Sequence, residues 1–121
     1  MNHFYTIDGK TLKNLQDLVE YLQEVDENTF NYHKPHFYEW IRDNFSPRLA
    51  ERIKNIDNKD EFLLELKNYL VLKEINKVLK EKVDKEYQKI ISLPQEERNY
   101  DSKELELAKK RLLLHLEDLI E

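Results

Sequence analysis

The chain has no cysteine, which excludes disulfides, thiolate metal sites and cysteine nucleophiles. It has a single glycine. Phosphate loops and dinucleotide fingerprints need several glycines so that backbone can approach phosphate closely, and both are excluded. Three prolines leave few places where a helix is forced to stop. No apolar run approaches the roughly 18 residues of a membrane span, so no membrane association is expected. The first apolar residues are interrupted by Thr6, Asp8 and Lys10. No signal peptide is therefore expected, and the cytoplasm is the expected location. Basic character is also missing. The net charge is −5 and the isoelectric point about 5.5, whereas a protein built to hold phosphate backbones wants a basic surface.

What is present is charge of both signs in helical spacing. Charged residues make up 37 % and apolar residues 40 % of the chain, against a usual charged share of about 25 %. One modest core is affordable, and much of every helix must face water. The abundance of Lys, Glu, Leu and Ile fits a hyperthermophile, and equally an AT-rich genome.

His3-Phe4-Tyr5-Thr6-Ile7 has strand propensity and Asp8-Gly9 is a turn signal. A short extended arm or a tiny hairpin is expected there. Thr11 can cap a first helix whose inner face is Leu12, Leu15, Leu18, Val19 and Leu22. Residues 30–45 are the aromatic centre, with Phe30, Tyr32, Phe37, Tyr38, Trp40 and Phe45. Pro35 disfavours helical geometry at Lys34 and suits a first helical position, which predicts a loop over 31–34 and a helix from Pro35 to Asn44. Ser46-Pro47 predicts a further helix start, and Asp57 or Asn58 another.

Nothing then interrupts the helical pattern until Leu93-Pro94. Leu72, Ile75, Leu79, Val83 and Ile90 carry an apolar stripe. A last helix opens at a capping box, Asp101 to Glu104, and continues through Leu105, Ala108, Leu112, Leu116 and Leu119. The expected fold is all-α. It is a five-helix bundle with a short N-terminal extended arm or β-turn, a compact domain over 1–71 around Trp40, and a long helical hairpin over 72–121 joined near Ser92–Asp101. Two narrow seams bury little, so the hairpin must pack on residues 1–71 or on a second copy.

The first seventy or so residues resemble an uncharacterised, mainly archaeal family, domain of unknown function 5752. The resemblance rests on Phe4-Tyr5-Thr6-Ile7-Asp8-Gly9, the leucine helix, Phe30-Asn31-Tyr32-His33, the block Phe37-Tyr38-Glu39-Trp40-Ile41-Arg42-Asp43, and Leu49-Ala50. The stretch between His33 and Trp40 is shorter than in that family, and the family's aspartate before Phe37 is His36 here. The resemblance implies a helical domain and supplies no activity.

Three constellations compete for function. His33, His36 and Glu39 have the residue types of a zinc, nickel or iron site, which would suit a metal-dependent hydrolase. A fourth ligand is not offered nearby, and a structural role is favoured for His33, with its ring nitrogens bonded to backbone or a carboxylate. The aromatics of residues 30–45 could stack bases, but Lys34, Arg42 and Arg48 are interspersed with Glu39 and Asp43. Core packing is favoured for Trp40 and Phe37, while Tyr32, Lys34, Tyr38 and Arg42 are candidates for contact with a partner. The series Lys73, Lys77, Lys80, Lys82, Lys85 and Lys89 could touch RNA or ribosome, but acidic residues among it favour a solvated face. No catalytic residue and no cofactor is assigned. The leading expectation is a non-catalytic protein–protein interaction module, pairing with a protein or with itself through the C-terminal hairpin.

Overall fold

In the computed structural model, which describes residues 2–97 and 100–118, the chain is all-α apart from one minimal hairpin. Strand β1 (Phe4–Tyr5) pairs antiparallel with β2 (Thr11–Leu12), in the register Phe4 to Leu12 and Tyr5 to Thr11. Gly9 makes the turn with φ of 87°, a conformation only glycine adopts without cost. Helices follow as α1 (Leu15–Glu24), α2 (Glu27–Asn44), α3 (Pro47–Ile53), α4 (Lys59–Ile91) and α5 (Ser102–Asp118), with a 3-10 turn at Gln95–Glu97.

The helix starts are set by local chemistry. The side chains of Asp26, Ser46, Asn58 and Asp101 each accept the backbone N–H three residues on, at 2.8, 3.1, 3.1 and 2.8 Å. Two expectations need correction. Thr11 does not cap α1. It is held in β2 by its pairing with Tyr5, and Asn14 caps the helix instead, accepting from the Asp17 N–H at 2.8 Å. There is also no loop over 31–34, because α2 runs unbroken through Pro35. A proline inside a helix costs about 3 kcal/mol. The ring and the Asn31 residue it deprives of a donor both lie on the exposed face, where water can satisfy the Asn31 carbonyl. The opposite face buries Phe30, His33, Phe37, Trp40 and Ile41 on both sides of the proline. At about 1.5–3 kcal/mol for each large apolar side chain, that continuous face outweighs the break.

The chain divides into two compact units, Met1–Val71 and Leu72–Ile120. The first has a dense core. Leu18, Leu22, Phe30, Phe37, Ile41, Leu49 and Leu66 are completely buried. The Phe62 ring meets Phe30 edge-on at 5.1 Å and Phe37 at 6.2 Å, which fastens the start of α4 to α2. Trp40 is interior, 6 % exposed, with its ring against Phe45 and Phe4. Its indole N–H donates to the Asn2 carbonyl at 2.8 Å, so the N-terminal arm is tied to α2.

In the second unit α4 and α5 run antiparallel. Asn76 Nδ2 donates to the Leu116 carbonyl, Lys80 pairs with Glu117 at 3.3 Å, and Lys109 pairs with Asp84 at 2.7 Å. Among the described residues of this unit, Leu116 is the one buried apolar side chain. Leu119, together with Arg98 and Asn99 of the connection, lies outside the described residues.

Candidate functional site

His33 sits in the buried face of α2, 3 % exposed. Phe4 and Tyr32 meet its ring edge-on at 5.6 and 5.0 Å, and Phe37 lies at 5.5 Å. The Ile7 N–H donates to Nε2 at 3.3 Å. An accepting Nε2 carries no proton, so the ring is neutral with its proton on Nδ1. Burial lowers its pKa below the usual 6.5, against a smaller opposing pull from Asp8. Asp8 organises the hairpin: its carboxylate accepts from Thr6 Oγ1 and from Tyr21 Oη, the latter at 2.9 Å. The Thr6 bond leads in holding Asp8 below the carboxylate range. The buried Tyr21 phenol is pushed up to about 12, first by burial and then by its bond to Asp8.

The continuous helix sets His36 one turn beyond His33, and both line an open cleft of about 390 Å³ with His3, Tyr5, Ile7 and Tyr32. Glu39 is exposed and lines a different cleft, with Lys34, Tyr38, Lys54 and Phe62. Among the described residues no group of three or more His, Asp or Glu side chains is placed to hold a metal ion.

The four candidate contact residues divide in the same way. Tyr32 is 60 % exposed. Lys34 pairs with Asp57 at 2.8 Å, and Tyr38 Oη donates to Glu51 at 2.9 Å. Arg42 pairs with Asp43 at 2.9 Å and lies 5.5 Å from the Tyr38 ring, with Lys54 at 5.7 Å. Three of the four therefore spend their polar groups within the chain, on α2 and the segments beside it.

The hairpin presents a larger apolar feature. The residues of α4 that face α5 are Asn76, Lys80, Val83 and Tyr87, all buried or half-buried. Those of α5 that face α4 are Leu105, Lys109, Leu113 and Leu116. Leu105 and Leu116 of the stripe expected on α5, and Val83 of that on α4, lie in the seam, whereas Ala108 and Leu112, like Ile75 and Leu79, each sit one position before a seam residue. Rotating both antiparallel helices by one residue brings the displaced stripes to the same side. There they form an open groove of about 350 Å³ lined by Leu79, Val83, Ile90, Leu105, Ala108 and Leu112, and also by Lys82 and Glu86. Leu79 is 41 %, Ile90 39 % and Leu112 44 % exposed. The other side of the seam carries Lys77, Glu81, Asp84, Gln88, Glu106 and Lys110, all exposed. Leu107 and Leu114, one turn before and after Lys110, are exposed on that side too. Within the lysine series, Lys80 and Lys89 pair with Glu117 and Glu86.

No family model, curated protein or solved structure matches the chain. Among the described residues no helix is long and apolar enough to cross a membrane.

Proposed function

We propose that the protein is a non-catalytic protein–protein interaction module whose docking element is the apolar side of the α4–α5 hairpin. One observation carries this reading: beside its seam the hairpin lays open a groove lined mainly by apolar side chains, in a unit with a single buried leucine among its described residues. Helices that served only each other would need the seam and nothing more. An outward stripe of Leu and Ile, one turn after another, is the pattern of a helix face that packs on a further layer. The resemblance of the first seventy residues to domain of unknown function 5752 assigns them no activity and is compatible with this reading.

A photo-cross-linking residue placed at Leu112, in the full chain expressed in cells, tests it. Intermolecular adducts are expected from position 112 and none from Lys110 on the other side of the seam. Adducts from 112 that map only to residues 2–71 of the same molecule would overturn the proposal.

A further inference from the structure

We propose that the occupant of the groove is a second copy of the same chain, related by a two-fold axis that sets the two α4 helices antiparallel and joins the two hairpins into a four-helix bundle. The inference rests on the interaction reading above and adds the identity and geometry of the partner.

The charge pattern supplies the first argument. Lys82 and Glu86 stand one helical turn apart on α4, and both line the groove. Two α4 helices in antiparallel register about a point between these residues place each Lys82 against Glu86 of the other copy. Parallel helices would set like against like. The face is therefore its own electrostatic complement in one orientation, which is the requirement of a two-fold interface. In the single chain Glu86 meets Lys89 at 3.1 Å. That pair is exposed on both sides and can be exchanged at little cost. The apolar residues follow the same symmetry, since Leu79 and Ile90 flank the charged pair on either side along the helix and can pack against each other across the axis.

Area is the second argument. From Leu72 to Ile90 the α4 stripe runs about 27 Å, and two helices side by side span about 20 Å. With side-chain relief counted, such a face is of the order of the roughly 800 Å² that each partner gives to a standard interface. The third argument is need. A unit of this size that buries one apolar side chain among its described residues is below what a helical layer requires to hold itself together, and doubling the layer is the usual remedy.

Sedimentation equilibrium of the full chain reads the proposal directly. A species of twice the 14.8 kDa chain mass is expected. Leu79→Glu with Leu112→Glu should weaken dimerisation by about a hundredfold or more, as each copy then buries two unpaired charges. Lys82→Glu alone and Glu86→Lys alone should each weaken it roughly tenfold, because the two-fold repeats every clash. The double reversal Lys82→Glu/Glu86→Lys should restore it. These charge variants lie on the exposed helix surface, so their folding is not at risk, and Trp40 emission reports the first unit throughout. A dimer indifferent to the single reversals, or not restored by the double one, would overturn the two-fold geometry. A monomer whose position 112 cross-links to a different protein would end self-pairing and leave the interaction reading standing. A monomer whose position 112 reaches only its own residues 2–71 would end both.

Discussion

The two units are made from the same residue types and use them differently. In Met1–Val71 the large apolar side chains are spent on one another: Phe30, Phe37 and Phe62 are fully interior and their rings touch. In Leu72–Ile120 the leucines and isoleucines are at least as regular in spacing, yet Ile75, Leu79, Ile90, Leu107, Leu112 and Leu114 remain exposed. Two short helices, the first turns of α4 and the β-hairpin can surround a face of α2 from several directions, so its aromatic residues lose their water. Two helices can cover only one line of contact, and every residue a position away from that line stays wet. Regular apolar spacing is thus evidence of burial only where enough layers exist to supply it.

The sharpest way to break this comparison is to truncate one residue in each unit. Phe37→Ala removes a fully buried ring from the first unit and should cost about 3–5 kcal/mol, read by urea unfolding followed through Trp40 emission. The pH dependence is next. His33 has a folded pKa below its ordinary value of 6.5, so the unfolded chain takes up its proton first. The stability of the first unit should hold above about pH 6.5 and fall as pH drops from there toward the folded value. His33→Gln keeps an acceptor for the Ile7 N–H without titrating in that range, and should flatten the profile between pH 7.5 and 5. If the profile stays steep in this variant, the titrating group is another one.

Leu105→Ala is the counterpart in the hairpin. Leu105 is half-buried in the seam, and its loss should cost about 1 kcal/mol if the single chain is all there is. A cost near that of Phe37→Ala, measured by helicity at 222 nm and growing with protein concentration, would mean that a second layer covers it. The smallest effect is expected for Asp57→Asn. The Lys34 hydrogen bond and charge hold the Asp57 carboxyl below its usual range, but the carboxylate is almost fully exposed. At neutral pH the change in thermal midpoint should be barely measurable.

The parts of the fold that were legible in the residues are those decided within four positions of themselves. The caps at Ser46 and Asp101, and the choice between Asp57 and Asn58, rest on pairs of neighbours, and a side-chain oxygen reaches an N–H three residues on whatever the rest of the chain does. The aromatic centre around Trp40 was legible too, because its density has few destinations other than a core. Pro35 was misleading for the opposite reason. Its local preference is real, and it was overruled by burial contributed by distant segments. Thr11 was a plausible cap until Tyr5 claimed it as a strand partner. Of the candidate site, the apolar stripes were visible in the spacing. Which of their residues face across the hairpin and which face out was not, since a one-residue rotation of both helices leaves the spacing unchanged.

By itself the sequence determined an all-helical chain, the local start of most of its helices, the exclusion of thiol and phosphate-loop chemistry, and the presence of more helical apolar surface than one small domain can bury. Those properties follow from composition and from interactions between near neighbours. Only the tertiary structure decided that α2 passes through its proline, that Asn14 rather than Thr11 opens α1, that His33 and His36 share a cleft while Glu39 does not, and that one side of the hairpin is left apolar. Each of these depends on contacts beyond a single helical turn, whose free energy exceeds the local preferences they override.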